Sequence, residues 1–213
     1  MLHFNLHKLQ SLLPPEAAPG IVRNCFETLA ETYGQPWRHY HATWHIDDCL
    51  GLLETHRSLA RDPRTLALAV FFHDLVCEPG ALDNEAASAE VAALWLARCR
   101  EHPAAIDVVR RLILATAKHR VEPDGPEDSG LMVDIDLASL ASPPEVFDHN
   151  TELIGREFQN LESQTVIEGR IRFLEAFLAR DYVYQTETFR AAYEEKARAN
   201  LSRSLGRLRA AST

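Results

Sequence analysis

The residues of this chain best suited to chemistry are two neighbours, His73 and Asp74, which interrupt the wholly apolar run LALAVFFHDLV at positions 66–76. The run is apolar on every side, so a helix built from it belongs in a core rather than at a surface. An imidazole and a carboxylate carried into a core cost free energy unless they are paired or ligate a metal ion. Two readings follow. One is a satisfied core pair, with Asp74 accepting a local hydrogen bond and His73 meeting a carbonyl; the other is a cation centre. Upstream, RHYHATWH places three of the ten histidines (His39, His41 and His45) within seven residues. If that stretch is helical, His41 and His45 share a face. Zinc proteases also use histidines four apart, but need Glu directly after the first; Ala42 stands there, which rejects that class. Downstream, ATAKH ends at His119, and DID supplies Asp134 and Asp136. A histidine in the last turn of a helix serves equally as a dipole partner, and an Asp opening a short helix equally as an N-cap.

The elements that must position these residues read as a succession of helices with short breaks. Apolar residues at helical spacing predict a helix over 21–33, stopped by Gly34-Gln35-Pro36. A second spans 45–60, with Ile46, Cys49, Leu50 and Leu53 on one face. Asp62-Pro63 supplies an N-cap and a first-position proline for a helix over 65–76 that carries the His-Asp pair. Pro79-Gly80 ends that segment, Asp83 can cap a helix running to about 100, and His102-Pro103 breaks it before a helix over 104–118. Residues 121–130, VEPDGPEDSG, are the most turn-rich stretch and fit a lid, a loose tip or a plain connection. Ser142-x-x-Glu145 and Thr165-x-x-Glu168 match capping boxes and predict helices over 143–161 and 166–178. A last helix over 187–208 carries Phe189, Tyr193, Ala197, Leu201, Leu205 and Leu208 on one stripe, which either completes the core or pairs with a second chain as a homodimer. Nothing alternates with period two over a useful length, so the fold class is all-α.

Composition narrows the function classes. At 213 residues the chain is long enough for a sizeable core, and a single domain, 1–213, is the expectation. The 31 acidic residues outnumber the 22 Lys and Arg, for a net charge of −9, and no basic run marks a nucleic-acid footprint. A nucleic acid polymer is therefore not the expected partner, although a small phosphorylated substrate is compatible with a bound cation. No apolar stretch is long enough to span a bilayer, and the N-terminus lacks a basic region followed by a cleavage site, so a cytoplasmic protein without membrane attachment is expected. Cys25, Cys49, Cys77 and Cys99 form no CxxC pair and read as reduced, mostly buried thiols.

The order of these elements resembles the HD superfamily of metal-dependent phosphohydrolases: a lone His on one helix, an adjacent His-Asp on another, a His at a helix end and a distal Asp. RHYHATWHI, FFHDLV, DNEAASA, LILATAKH, DIDLASL and KARANL look more narrowly like a bacterial branch of predicted HD phosphohydrolases, over roughly residues 36–205. The resemblance implies an HD-domain-like helical bundle with His45, His73, Asp74 and Asp136 as metal ligands, Asp134 being the alternative for the last. The implied cofactor is one divalent ion (Mn, Fe, Co, Ni, Mg or Zn), and mixed imidazole and carboxylate ligation suits such ions rather than thiolate-loving ones. The implied reaction is hydrolysis of a small phosphate ester such as a nucleotide. Asp74 would ligate the metal and deprotonate water, and His119 would contact the phosphate or protonate the leaving oxygen. Arg38, His41 and Lys118 are the candidate substrate-binding residues. Glu85, in the DNE segment, is a candidate support for the ligands, and Arg198 and Asn200 read as structural. Two rivals stand beside this: an HD-type di-iron oxygenase using the extra histidines, and a non-catalytic module that holds a metal or nucleotide.

Overall fold

A computed structural model describes residues 3–211. Among them the chain forms α-helices and no strand, as the absence of period-two alternation predicts. The first six are α1 (Leu6–Leu12), α2 (Pro19–Tyr33), α3 (Thr43–Thr55), α4 (Pro63–Phe72), α5 (Asn84–Arg98) and α6 (Pro103–Thr116). The last four are α7 (Ser129–Leu137), α8 (Pro144–Glu157), α9 (Ser163–Leu178) and α10 (Glu187–Ala211). None of them is long and apolar enough to cross a membrane.

The bundle is built around α4. Every residue from Thr65 to Phe72 is buried, and the helix packs against α1, α3, α5, α6 and α7. An apolar surface all round makes this central position the only one that keeps the helix out of water. Its start follows the sequence reading: the Asp62 carboxylate accepts the Arg64 and Thr65 amides, with Pro63 at the first position. α1 is an addition to that reading, capped by Asn5, whose side chain accepts the Lys8 amide at 2.8 Å. Phe4, just ahead of it, packs on Phe26, Tyr33 and Phe71 at ring distances of 5.3, 5.8 and 5.5 Å.

Several ends differ from expectation. The helix expected over 65–76 stops at Phe72, because its last carbonyls turn to other partners: Val70 O meets His73 Nδ1 at 3.0 Å, Phe71 O accepts the Tyr33 hydroxyl at 3.1 Å and Phe72 O accepts the Leu75 amide at 3.1 Å. The Arg38 guanidinium then holds the Asp74 and Leu75 carbonyls at 2.7 Å each. α3 ends at Thr55 and is followed by a single 3-10 turn, Arg57–Leu59. Neither expected capping box forms. Pro143 stands at the N-cap of α8, so consecutive prolines move the helix start past Ser142, while α9 starts at Ser163 and takes Thr165 inside its first turn. Asp83 precedes α5 without a side-chain cap bond. α7 starts at Ser129, so Asp134 and Asp136 lie in its second half rather than opening it. Its start is held from outside, since the Asp128 carboxylate accepts the Arg61 and Asp62 amides at 2.7 and 2.8 Å; this also pins the end of the turn-rich loop.

α10 packs on α8 and α9, with Phe189, Ala197, Leu201 and Leu205 buried and Tyr193 and Leu208 packed at the core margin. The apolar stripe thus completes the chain's own core. Arg198 and Asn200 tie that helix down, as expected. Arg198 donates to the Leu178, Arg180 and Asp181 carbonyls, and Asn200 to those of Leu140 and Ser142.

Candidate metal centre

Four side chains from two helices and one turn converge. His45 comes from the first turn of α3, His73 and Asp74 from the turn that follows α4, and Asp136 from the last turn of α7. One ligand atom from each lies within 4.8 Å of the other three, a grouping that could hold a metal ion. His45 Nε2 stands 3.4 Å from both Asp74 Oδ2 and Asp136 Oδ1. His73 Nε2 is 3.1 Å from Asp74 Oδ2 and 3.4 Å from Asp136 Oδ1.

The backbone sets the chemistry of the ring nitrogens. His73 Nδ1 lies 3.0 Å from the Val70 carbonyl, which can only accept, so Nδ1 carries the proton and the Nε2 lone pair faces the cluster. On the other histidine, Nδ1 meets the Cys49 sulfur at 3.8 Å, one helical turn on. Despite the short separations, His73 Nε2 and Asp74 Oδ2 are buried and make no hydrogen bond. Two orphaned polar atoms aimed at one point are costly unless something else satisfies them there. A divalent cation does so: it balances two carboxylate charges and takes up imidazole lone pairs. The donor set therefore fits a metal ion.

The electrostatics agree. Burial by itself would push the His73 imidazole down, yet Asp74 and Asp136 hold it well above its usual value. Burial would push the Asp74 carboxyl up, yet His73 and His41 hold it well below. Asp136 is held down against burial in the same way, by His119, His45 and His73. Groups arranged so that each keeps its neighbour charged share protons among themselves, and ligation replaces those protons with a cation.

The choice between the two aspartates of DID is decided by helix phase. Asp136 faces the cluster. Asp134, fully buried, faces the opposite way and caps the start of α10: Oδ1 accepts the Gln185 amide at 2.6 Å, while Oδ2 accepts the Thr186 amide at 2.7 Å and its hydroxyl at 2.6 Å. His119 joins through Asp136, with Nε2 at 3.2 Å from Oδ2. It lies in the turn after α6, in the left-handed region (φ 47°), a conformation histidine tolerates better than most residues, and Arg180 holds its carbonyl at 2.8 Å. Lys118 beside it is exposed.

Two expected substrate contacts are placed otherwise. Arg38 is buried, stacks on Trp37 and Tyr33, and donates to the His41, Asp74 and Leu75 carbonyls. With both terminal nitrogens on carbonyls it clamps the His-Asp turn and is not presented to a phosphate. The His41 ring is claimed by Glu157, with Nδ1 2.6 Å from Oε2, rather than facing an open site. Sequence reasoning missed Glu157, an acidic residue on an amphipathic helix with no local signal. It also missed how the DNE segment acts: Asn84 and Ser88, not Glu85, hold the chain after the His-Asp pair, by bonds to Glu78 and Val76. Comparison with protein-family models, with curated proteins and with solved structures finds no match to this chain.

Proposed function

We propose that this protein is a metal-dependent phosphohydrolase of the HD type acting on a small phosphate ester, with His45, His73, Asp74 and Asp136 holding a divalent cation. The observation that carries the reading is the pair of buried, unpartnered atoms, His73 Nε2 and Asp74 Oδ2, inside a two-histidine, two-carboxylate cluster. The spacing of those four residues along the chain, which resembles the HD superfamily, supports the same assignment. When bound, the cation supplies Lewis acidity: it lowers the pKa of water and neutralises charge on a phosphoryl group.

The side chains around it have distinct tasks. The other oxygen of Asp74, the one not turned to the cluster, accepts the proton of the attacking water. His119 Nε2, held by Asp136 Oδ2 and with its side chain 23 % exposed, donates a proton to the departing oxygen. Arg38 keeps the Asp74 and Leu75 carbonyls in place and so fixes the direction of the carboxylate. Lys118 attracts the phosphate. An open cavity of about 370 Å³ lined by Arg120, Arg180 and Arg190 lies against the same corner, since Arg180 also holds the His119 carbonyl. Arg180 and Arg190 donate to the His119, Lys118, Tyr184 and Gln185 carbonyls and Asp181 lines the same opening, so these guanidinium groups act on an anion through long-range charge rather than by direct contact.

The test is phosphate release from a panel of nucleotides and phosphate monoesters, with metal-stripped protein resupplied with Mn²⁺, Co²⁺, Ni²⁺, Mg²⁺ or Zn²⁺. Turnover that needs the metal and vanishes in Asp74→Asn is the expected result. Folded, metal-loaded protein that releases no phosphate from any member of the panel would overturn it.

A further inference from the structure

A second cluster of ligating side chains lies beside the first and shares no residue with it. His41, Cys77 and Glu157 each bring one ligand atom to within 4.8 Å of the others. The same two stretches of chain supply both clusters: His41 precedes His45 by four residues, and Cys77 follows Asp74 by three. The two histidine rings stand 6.1 Å apart. The third residue comes from the far end of α8.

Glu157 is built in as a ligand would be. Its side chain has no exposure, and Oε1 is fixed by the Tyr40 and His41 amides at 2.7 and 2.9 Å. Oε2, the other end of this rigid carboxylate, meets His41 Nδ1 at 2.6 Å. The Cys77 thiol is the other side-chain partner of the His41 ring, so all three donors already meet at one imidazole. A divalent ion accounts for all three, because thiolate plus carboxylate balances its charge and the neutral imidazole completes the donor set. The Cys77 and His41 side chains are partly exposed, which leaves a route in from solvent.

We propose that His41, Cys77 and Glu157 form a second cation site, selective for a borderline-soft divalent ion such as Zn²⁺ and separate from the His45, His73, Asp74 and Asp136 cluster. A thiolate, an imidazole and a carboxylate suit Zn²⁺ or Co²⁺ and disfavour Mg²⁺ and Ca²⁺, which take oxygen donors. This gives Cys77 a task that sets it apart from the three buried cysteines. The site stands independently of phosphate-ester hydrolysis.

The experiment is titration of metal-stripped protein with Co²⁺, followed by near-ultraviolet absorption and by native mass spectrometry. The wild type should show a thiolate-to-cobalt charge-transfer band and take up two ions per chain. Cys49→Ser should keep the band, which separates it from the thiol next to His45. Cys77→Ser, an exchange of sulfur for oxygen at a partly exposed position, should lose the band and bind one ion. Asp74→Asn should lose the first ion while keeping the band, so that failure of one site is distinguishable from failure of the other. Added Zn²⁺ should bleach the wild-type band. Folded, cobalt-loaded wild type without the band would overturn the proposal, as would a band that survives in Cys77→Ser. If Cys77→Ser proves unfolded by circular dichroism, His41→Asn provides the same test.

Discussion

Asp134 and Asp136 are separated by one residue, and the structure assigns them opposite consequences. In Asp134→Asn the amide keeps one oxygen where the carboxylate offered two. Placed at the Oδ1 position, that oxygen still serves the Gln185 amide, but the new NH₂ then faces the Thr186 amide, donor against donor. The Thr186 hydroxyl can rotate to accept from it; the backbone N–H cannot. One buried donor left unmatched costs roughly 1–3 kcal/mol, and turning charge-assisted bonds into neutral ones adds about 1 kcal/mol, for a predicted loss of about 2–4 kcal/mol. In Asp136→Asn the bond from His119 Nε2 to the side-chain oxygen survives, and the side chain is 14 % exposed, so stability without metal should move by less than about 1.5 kcal/mol. Metal content should respond in reverse, with Asp134→Asn keeping the ion at the first cluster and Asp136→Asn losing it. Urea denaturation of metal-stripped protein, followed by circular dichroism, gives the first quantity, and elemental analysis after dialysis gives the second. If Asp134→Asn releases the metal without loss of stability, the assignment of the two aspartates is wrong.

Three further outcomes follow from the same structure. Stripping the metal should lower the unfolding free energy by about 2.7 kcal/mol relative to protein held at a hundred times the dissociation constant, read as a fall in thermal midpoint that resupplied ion reverses. Arg38→Lys replaces two separated terminal nitrogens with a single one on a shorter reach, which cannot span the carbonyls of His41, Asp74 and Leu75, so metal affinity should fall about 10- to 100-fold by isothermal titration; unchanged affinity would remove Arg38 as the clamp of the His-Asp turn. The Glu101 carboxyl, which burial would raise, is held below its ordinary value by Arg64 and by the His102 amide. A carboxylate with a depressed folded-state pKa stabilises the fold above the unfolded value near 4.5, and that contribution is lost as pH falls through the folded value. Denaturation midpoints of Glu101→Gln and wild type should therefore differ at pH 7 and converge as pH falls through the depressed folded value.

Much of the fold was legible because helix signals are local. The all-apolar run of α4 announced a central helix, Asp62-Pro63 marked its first turn, and the stripe on α10 marked a core face. Short-range signals misled where a stronger constraint intervened. Ser142 lost its capping role to the prolines beside it, and the helix expected to reach Val76 stopped at Phe72 because the His73 ring and the Tyr33 hydroxyl, the latter far off in sequence, take the Val70 and Phe71 carbonyls.

By itself the sequence determined the all-α class and brought forward His73 and Asp74, since a buried His-Asp pair demands compensation wherever it is folded; the resemblance to the HD superfamily added His45, His119 and Asp136, with Asp134 as the alternative. Only the tertiary structure decided which aspartate of DID faces that pair, because the choice depends on how α7 is rotated against α3 and α4. It also turned Arg38 from a phosphate contact into a clamp, and joined Glu157 to His41 across 116 residues, with Cys77 beside them. Ligand sets are fixed by distance and direction, and packing between distant helices supplies both.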